Sequence, residues 1–231
     1  MNDNIIIHED DSICVIDKPY GVIVNNANTV RSETVQDWFF PKTQKLKNSK
    51  TPNEFLEKGG IVHRLDKDTS GVMVLAKTEE AYEKLKTQFL ERTTKKTYWA
   101  LVHGKMSEPT GIISAPIDRH PKDSRKFAVS DNLSRTAITE WKVLKEFPLY
   151  SLLELSPHTG RTHQLRVHMQ YSHHPIVSDP IYGWQKSLKD DLKICPRLFL
   201  HAHTLEFVHP TTNKIMTFTS VLPPELLLHL E

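Results

Sequence analysis

The chain has 231 residues, enough for one large domain or two small ones with a hydrophobic core of ordinary size. No stretch approaches the roughly 20 apolar residues that span a bilayer, and residues 1–4 carry no basic segment ahead of an apolar one, so we expect a cytoplasmic protein without a membrane segment. Thirty basic against 28 acidic residues give a net charge of +2, too small to indicate nucleic-acid binding by itself.

Short apolar runs, mostly alternating with polar residues, predict a strand-rich chain. We expect strands at residues 4–8, 12–17, 72–77, 97–103, 111–115, 136–147, 150–156, 203–208 and 214–219. Helical periodicity predicts helices at 34–40, 79–92, 162–172 and 223–230, and in the second of these Leu85, Phe89 and Leu90 form the apolar side. Successive strands with short connections predict an α+β fold with a mixed, largely antiparallel sheet and flanking helices.

The chain shows no internal repeat, and we expect a single domain over 1–231. Residues 41–58 are rich in lysine, begin at Pro41 and are interrupted by Pro52, which predicts a flexible insertion within that domain. The two cysteines, Cys14 and Cys195, lie far apart and form no Cys-x-x-Cys pair, so we expect free thiols rather than a disulfide or a zinc site.

The most informative segment is residues 63–71, a polar bend between two apolar runs. Asp66 and Asp68 are typical turn formers, and Gly71 permits a left-handed backbone, so a purely structural turn is one interpretation. However, Arg64 stands two residues before Asp66, and Thr69 and Ser70 can orient a carboxylate by hydrogen bonds. The alternative interpretation is therefore an aimed, partly desolvated carboxylate that acts as a nucleophile or a base.

This segment resembles the signature of the RluA-type pseudouridine synthases, His-Arg-Leu-Asp-x-x-Thr-Ser-Gly, and all seven specified positions match. Three further segments are similar to parts of the same family. Residues 95–104 resemble its tyrosine-bearing strand, residues 160–168 its arginine-bearing helix, and residues 9–21 its first strand and Lys-Pro-x-Gly turn. The resemblance implies the pseudouridine synthase fold around a central RNA-binding cleft, and an isomerase that converts uridine to pseudouridine.

Pseudouridine formation breaks the bond from ribose to N1 of uracil and remakes it to C5, so we expect no cofactor and no metal. The resemblance makes Asp66 the catalytic carboxylate. Whether it attacks the sugar, attacks the base or removes a ribose proton to give a glycal stays open. On the predicted helix, Arg166 shares a face with His163, Val167 and Gln170, and a guanidinium beside an aspartate keeps that aspartate ionised. The alternative for Arg166 is a structural ion pair elsewhere.

The resemblance also assigns roles to residues near the base. It places Tyr98 against the uracil, as a stacking partner and a base for the C5 proton, although a strand tyrosine is commonly a core residue. Arg64, helped by His63, is expected to fill the gap that an extruded uridine leaves in the RNA stack. The full set expected to bind RNA is His63, Arg64, Thr69, Lys122, Arg125, Lys126, Arg161, His163 and Gln164.

Basic residues cluster at 41–50, 84–96 and 119–126, where they could neutralise phosphates, although such runs are often solvated surface. Many RluA-type relatives carry an N-terminal S4 module, and residues ahead of the first predicted strand leave no room for one. We therefore expect the catalytic domain itself to select the target, a stem-loop of ribosomal or transfer RNA. We expect a monomer that needs no protein partner.

Two other functions stay open. The first is a catalytically inactive RNA-binding protein of the same fold, which an intact set of Asp66, Tyr98 and Arg166 disfavours. The second is a metal-dependent hydrolase that uses some of the 13 histidines. His158, His163 and His168 are five apart, so on a helix they diverge by about 140°, and no carboxylate or cysteine obviously completes a site with the pair at 201 and 203.

Overall fold

A computed structural model of the chain describes residues 1–27, 30–43 and 54–227. It divides into two compact units. Unit 1 comprises Met1–Lys95 and Thr204–Ser220, and unit 2 comprises Lys96–His203 and Val221–Glu231. Each unit is therefore built from two separate stretches of chain. That the two together form one domain stays a prediction.

Strands outnumber helices in the described part of the chain. The strands are β1 (Ile6–Glu9), β2 (Ile13–Lys18), β3 (Ser70–Ala76), β4 (Lys95–His103), β5 (Thr110–Ser114), β6 (Ile117–Arg119), β7 (Phe127–Val129), β8 (Ile138–Glu146), β9 (Tyr150–Pro157), β10 (Leu200–Val208) and β11 (Ile215–Thr219). The α-helices are α1 (Val35–Phe39), α2 (Glu54–Lys58), α3 (Glu79–Glu91), α4 (Gln164–Tyr171), α5 (Leu188–Ile194) and α6 (Pro224–Leu227). Short 3-10 turns occur at Asp3–Ile5, Phe40–Lys42 and Leu133–Arg135.

Unit 1 is a sheet covered by the α3 helix. Strand β2 pairs antiparallel with β1 and β3, and β11 pairs antiparallel with β10. Every residue of β3 is buried, as its continuous apolar run predicts. Helix α3 begins after Thr78, whose side chain accepts the Ala81 N–H, and it ends at Arg92, where φ is +61°. Leu85 from α3 is fully buried in the core, which contributes about 2 kcal/mol.

Unit 2 contains a second antiparallel arrangement. Strand β9 pairs with β4 and β8, β8 also pairs with β5, and β6 and β7 form a separate two-stranded ribbon. Its main core joins β4 and β9 to α4 and α6, with Leu101, Leu153, Met169 and Leu226 among the buried residues. A smaller cluster lies beside the ribbon and consists of Ile117, Ala137, Val167 and Tyr182. This cluster fixes the side of α4 that carries Val167.

These pairings confirm an α+β fold with a largely antiparallel sheet. The predicted helix at 162–172 is wrong at its start, because His163 has a φ of +56° and α4 begins at Gln164. His163 therefore does not share a helical face with Arg166. Leu90 is also not on the apolar side of α3, since it is 71% exposed.

Two predicted segments fall partly on residues that are not described. The predicted insertion at 41–58 has short helical turns at both ends, at Phe40–Lys42 and in α2, while residues 44–53 lie outside the described part. Its flexibility stays a prediction. The last predicted helix is present as α6, and residues 228–231 are again outside the described part.

Cys14 and Cys195 are both free, as predicted, and both are buried. Burial raises the pKa of the Cys14 thiol to about 12, so this thiol is protonated at neutral pH. Within the described residues, no helix combines the length and the apolar character that crossing a membrane requires.

Candidate active site

In unit 1, the loop that carries Asp66 is attached to β3 on one side. Ile61 forms a bridge with Leu75, and Nε2 of His63 accepts the N–H of Val74 at 3.1 Å. The His63 imidazole also stacks on the Phe89 ring, with centroids 4.3 Å apart. The start of the loop is therefore held by backbone and ring contacts before the chain reaches Asp66.

The turn at Asp66 is closed by its own backbone and by a buried lysine. The Thr69 N–H donates to the Asp66 carbonyl at 3.1 Å, and the Gly21 N–H donates to the Lys67 carbonyl at 2.9 Å. Lys18 has no exposed surface, and its Nζ donates to the carbonyls of Pro19, Val22 and Lys67 at 2.8, 2.9 and 3.3 Å. A buried ammonium requires such partners, so Lys18 fastens the turn after β2 to the turn at Asp66.

Exposure differs sharply along this turn. Leu65 and Thr69 are buried, Asp66 is half-buried, and Arg64 is exposed. Leu65 anchors the loop in the interior, whereas the Asp66 carboxylate keeps access to the surface. Thr69 was predicted to bind RNA, but at 2% exposure it is placed to brace the turn rather than to contact a ligand.

In unit 2, Tyr98 lies near the start of β4, opposite Leu155 of β9. It is partly buried and packs against the main core of this unit. The next residue, Trp99, points to the other side of the strand and stacks on His203 with centroids 4.0 Å apart. The Tyr98 ring is thus held by packing on one side of the strand.

Arg166 on α4 makes a forked ion pair with Asp179, an ion pair of the kind that stayed open as the alternative for this residue, although its partner was not predicted. Its Nε and Nη2 donate to Oδ2 and Oδ1 of Asp179, both at 2.8 Å, and Asp179 is completely buried. Oδ1 of Asp179 also accepts the N–H groups of Ile181 and Tyr182, each at 2.9 Å. The guanidinium carbon is 5.1 Å from the centre of the Tyr182 ring. These contacts fix the plane of the guanidinium.

A second buried network fixes the start of α4. Oε1 of Gln164 accepts from the Thr159 hydroxyl and the Arg161 N–H, and its Nε2 donates to Ile138 and Thr139. Gln164 was predicted to bind RNA, but its amide is used in these four bonds, so it braces the helix. Arg161 is partly exposed and donates to the carbonyls of Thr136 and Ser134.

His168, one turn further along α4, is also buried. One of its ring nitrogens lies 2.8 Å from the Thr139 hydroxyl, and the other lies 3.0 Å from the Ala115 carbonyl. Burial lowers the pKa of His168, which keeps its imidazole neutral. A neutral histidine with both nitrogens engaged is a structural residue of unit 2 rather than a metal ligand.

The loop between β6 and β7 carries three of the predicted RNA-binding residues. Lys122 and Arg125 are exposed, and Lys126 is half-buried. Arg125 donates through Nε and Nη2 to Asp123 at 3.1 and 3.2 Å, so part of its charge is neutralised locally. Arg119 at the end of β6 lies 5.6 Å from the Phe127 ring centre. The ribbon therefore presents cations next to an aromatic ring.

The histidines predicted as an alternative metal site have other partners. His158 lies 2.9 Å from the Glu140 carboxylate, and His203 stacks on Trp99. Across residues 1–27, 30–43 and 54–227, no group of three or more His, Cys, Asp or Glu side chains is arranged to hold a metal ion.

Of the predicted catalytic residues, Asp66 belongs to unit 1, whereas Tyr98 and Arg166 belong to unit 2. Within unit 2, the structure links Arg166 and His163 through Asp179 and Tyr182. Neither Asp179 nor Tyr182 was predicted. The one signal in the sequence was the Ser178-Asp179-Pro180 segment after the apolar pair Ile176-Val177, which is typical of a turn.

Comparison with known proteins shows which sequences and structures the chain resembles. A sequence model of the family described as RNA pseudouridylate synthase matches residues 12–171. A protein of Nitrosomonas europaea named ribosomal large subunit pseudouridine synthase D is 41% identical over 224 residues, which cover 96% of this chain and 62% of that protein. An uncharacterised RNA pseudouridine synthase of Synechocystis is 36% identical over 94% of this chain and 65% of its own length.

The chain therefore spans less than two thirds of the length of these two curated relatives. Among solved structures, the human protein titled RNA Pseudouridylate Synthase Domain Containing 1 is similar with a TM-score of 0.72 and 26% identity. That match covers 96% of this chain and 85% of the human chain. The similarity confirms the fold.

Proposed function

The chain belongs to the RNA pseudouridylate synthase family, and we propose that it isomerises uridines in structured RNA to pseudouridine. The observation that carries this proposal is the Asp66 turn. It matches the family signature at all seven specified positions, and Lys18, Leu65 and Thr69 hold it while the carboxylate stays half-buried. A reacting carboxylate needs both the fixed direction and the access.

The substrate that we propose is ribosomal RNA of the large subunit. The name of the Nitrosomonas relative supports this choice, and a transfer RNA stem-loop is the second candidate. Base chemistry within a stem-loop requires the uridine to leave the stack, which costs least in or beside a loop. Exposed Arg64 is suited to replace the extruded base, because a guanidinium can stack on its neighbours.

We propose three catalytic roles. Asp66 is the reacting carboxylate, and this role is common to attack on the sugar, attack on the base and the glycal route. Tyr98 stacks on the uracil and accepts the C5 proton. Arg166 stabilises negative charge at the reacting carboxylate, and its fork on Asp179 supports this role because it fixes the guanidinium plane.

The binding surface that we propose consists of exposed or half-exposed cations. It includes Arg64 in unit 1, and Lys122, Arg125, Lys126 and Arg161 in unit 2. His63 and His163 support this surface, while Thr69 and Gln164 act from the interior. An RNA substrate and two buried thiols fit a cytoplasmic location, and we expect the protein to act as a monomer without a cofactor or a protein partner.

The test compares Asp66→Asn with Asp68→Asn in the same turn. Asp66→Asn keeps the shape and removes the charge, so pseudouridine formation should fall by at least about 10⁴-fold while RNA affinity changes less than threefold. Asp68→Asn should isomerise within about threefold of the parent. Pseudouridine is measured by carbodiimide labelling and primer extension on RNA treated with the pure proteins.

Measurable isomerisation by Asp66→Asn would remove Asp66 from the mechanism. Parent protein that binds RNA tightly and never isomerises it would favour the inactive RNA-binding function instead. Mapping pseudouridines in total RNA from cells with and without the gene identifies the target. A missing modification in transfer RNA alone would overturn the ribosomal substrate.

A further inference from the structure

The ribbon of β6 and β7 is too short to hold its own position. Its strands pair over three residues, from Ile117 opposite Val129 to Arg119 opposite Phe127. An isolated two-stranded ribbon is marginal in water even when it is longer. The cations at its tip, Lys122 and Lys126, can therefore meet RNA in a defined place only if contacts outside the ribbon fix it.

One such contact is made by the hydroxyl of Tyr182. The Phe127 N–H donates to this hydroxyl at 2.9 Å, and the hydroxyl lies 2.9 Å from Nδ1 of His163. The oxygen accepts from Phe127, and in the second bond either the hydroxyl or Nδ1 of His163 is the donor, according to the imidazole tautomer. The Phe127 ring also meets the His163 ring edge-on, with centroids 5.8 Å apart.

The other side of Tyr182 meets the Arg166 network. Its N–H donates to Oδ1 of Asp179 at 2.9 Å, and its ring lies 5.1 Å from the Arg166 guanidinium. Tyr182 is 2% exposed, so it has little freedom to move alone. A single buried residue thus contacts the ribbon through its hydroxyl and the guanidinium through its ring.

We infer that Tyr182 is a positioning residue that couples the cationic ribbon to Arg166, so that RNA held by the ribbon is held in register with the reacting groups. This inference rests on the proposed function for the isomerisation step. The ligand it concerns is the sugar-phosphate backbone beside the target uridine, which Lys122 and Lys126 meet as cations. His163, whose φ is +56° and whose Nδ1 lies against the same hydroxyl, is part of the coupling.

The test is Tyr182→Phe, which removes the hydroxyl and keeps the ring beside Arg166. Two neutral hydrogen bonds are lost, so the RNA concentration for half-maximal rate should rise about tenfold. The single-turnover rate at saturating RNA should fall less than this. The matched control is Tyr171→Phe, since Tyr171 is an exposed tyrosine at the end of α4, the helix that carries Arg166, and it should leave both quantities unchanged.

Two further measurements separate coupling from general loss of structure. Amide hydrogen exchange at residues 117–129 should accelerate in Tyr182→Phe, while exchange within α4 stays as in the parent. Lys122→Gln should weaken RNA binding in the parent and weaken it less in the Tyr182→Phe background, because a loosened ribbon no longer presents Lys122 in place.

An unchanged half-saturating concentration, or additive effects of the two substitutions, would overturn the coupling. Faster exchange in α4 as well as in the ribbon would also overturn it, since that result describes a general loss of packing. Exchange and RNA binding need no catalysis. If the parent fails to isomerise any RNA, the proposed function fails while these two measurements still decide the role of Tyr182.

Discussion

Arg166 shows how much of a residue's role depends on a partner that is distant in sequence. The guanidinium and the Asp179 carboxylate are both removed from water, and removing one member of such a pair leaves an unpaired buried charge. The two backbone N–H groups on Asp179 reduce the cost of burying its carboxylate. The ion pair with Asp179 can therefore hold the Arg166 guanidinium in one fixed orientation.

We expect Arg166→Lys to isomerise RNA at least about 100-fold more slowly than the parent, even though the charge is kept. Lysine lacks the planar fork, so it cannot satisfy both Asp179 oxygens in the same plane. The free energy of unfolding should also fall, by about 2–4 kcal/mol. Single-turnover isomerisation and urea denaturation measure the two effects.

The matched control is Arg197→Lys in the same unit, where the guanidinium meets Glu225 at 3.0 Å. It should lower stability without slowing the isomerisation at saturating RNA. Equal rates for Arg166→Lys and the parent would show that the fork on Asp179 is structural alone.

For individual residues, the sequence predicted which side chains belong to the candidate site better than it predicted which partners those side chains contact. The signature at 63–71 identified the turn at Asp66, because the bond that closes this turn, from the Thr69 N–H to the Asp66 carbonyl, is local. Asp179 could not be predicted as the partner of Arg166, since no local periodicity joins positions 13 residues apart across a loop. Thr69 and Gln164 were assigned to RNA from their position in the motifs, but burial depends on tertiary packing.

Among the elements, the connection from α2 to β3 determines where the Asp66 loop begins. The Gly60 N–H donates to the Phe55 carbonyl, and the Gly60 carbonyl accepts the Ala76 N–H at 2.9 Å. Its φ is +78°, and a Cβ at this position would lie 2.2 Å from the Ala76 carbonyl oxygen. The backbone of the strand end therefore leaves room only for a glycine.

We expect Gly60→Ala to lower the free energy of unfolding by about 3 kcal/mol or more, from the sum of backbone strain and this clash. Gly21→Ala is the matched control, because Gly21 has a φ of +80° but nothing within 4 Å of its Cβ position. Gly21→Ala should lower the free energy of unfolding by about 1 kcal/mol. Urea denaturation of the two variants compares them, and equal losses would show that the clash relaxes.

Most elements were predictable, including the short α1, β1 and α6, whereas β6, β7, α2 and α5 were not. Strands such as β2, β3 and β9 have enough apolar residues for their period to be visible in sequence. Strands β6 and β7 have three residues each and flank a basic loop, so they show no hydrophobic period. Helix α2 lies at the end of the lysine-rich segment 41–58 that was interpreted as an insertion, and the seven-residue α5 was also missed. These short elements depend on tertiary contacts such as the Tyr182 hydroxyl.

For the whole molecule, the net charge of +2 conceals a specific distribution. Many lysines are paired with nearby carboxylates, for example Lys84 with Glu80 and Lys193 with Asp190. Such pairs contribute little to the field that RNA experiences. The exposed cations of the Asp66 loop and the ribbon therefore matter more than the total.

We expect a short hairpin with the target uridine in or beside its loop to be isomerised nearly as well as the full RNA. Binding to single-stranded loop phosphates should weaken steeply with salt. The slope of the logarithm of the binding constant against the logarithm of the salt concentration should be about −0.7 for each phosphate contact. Fluorescence anisotropy with a labelled hairpin measures this slope. Lys122→Gln should reduce the magnitude of the slope by roughly the contribution of one phosphate contact. Modification of assembled particles but not of any hairpin would contradict recognition by local RNA structure.

The division of each unit between two stretches of chain also has a consequence for biosynthesis. A ribosome completes residues 1–95 long before it makes 204–220, so the sheet of unit 1 must wait for β10 and β11 while all of 96–203 is synthesised. Unit 2 likewise waits for residues 221–231 and the buried Leu226. Neither unit can therefore finish folding before the second of its two stretches has left the ribosome.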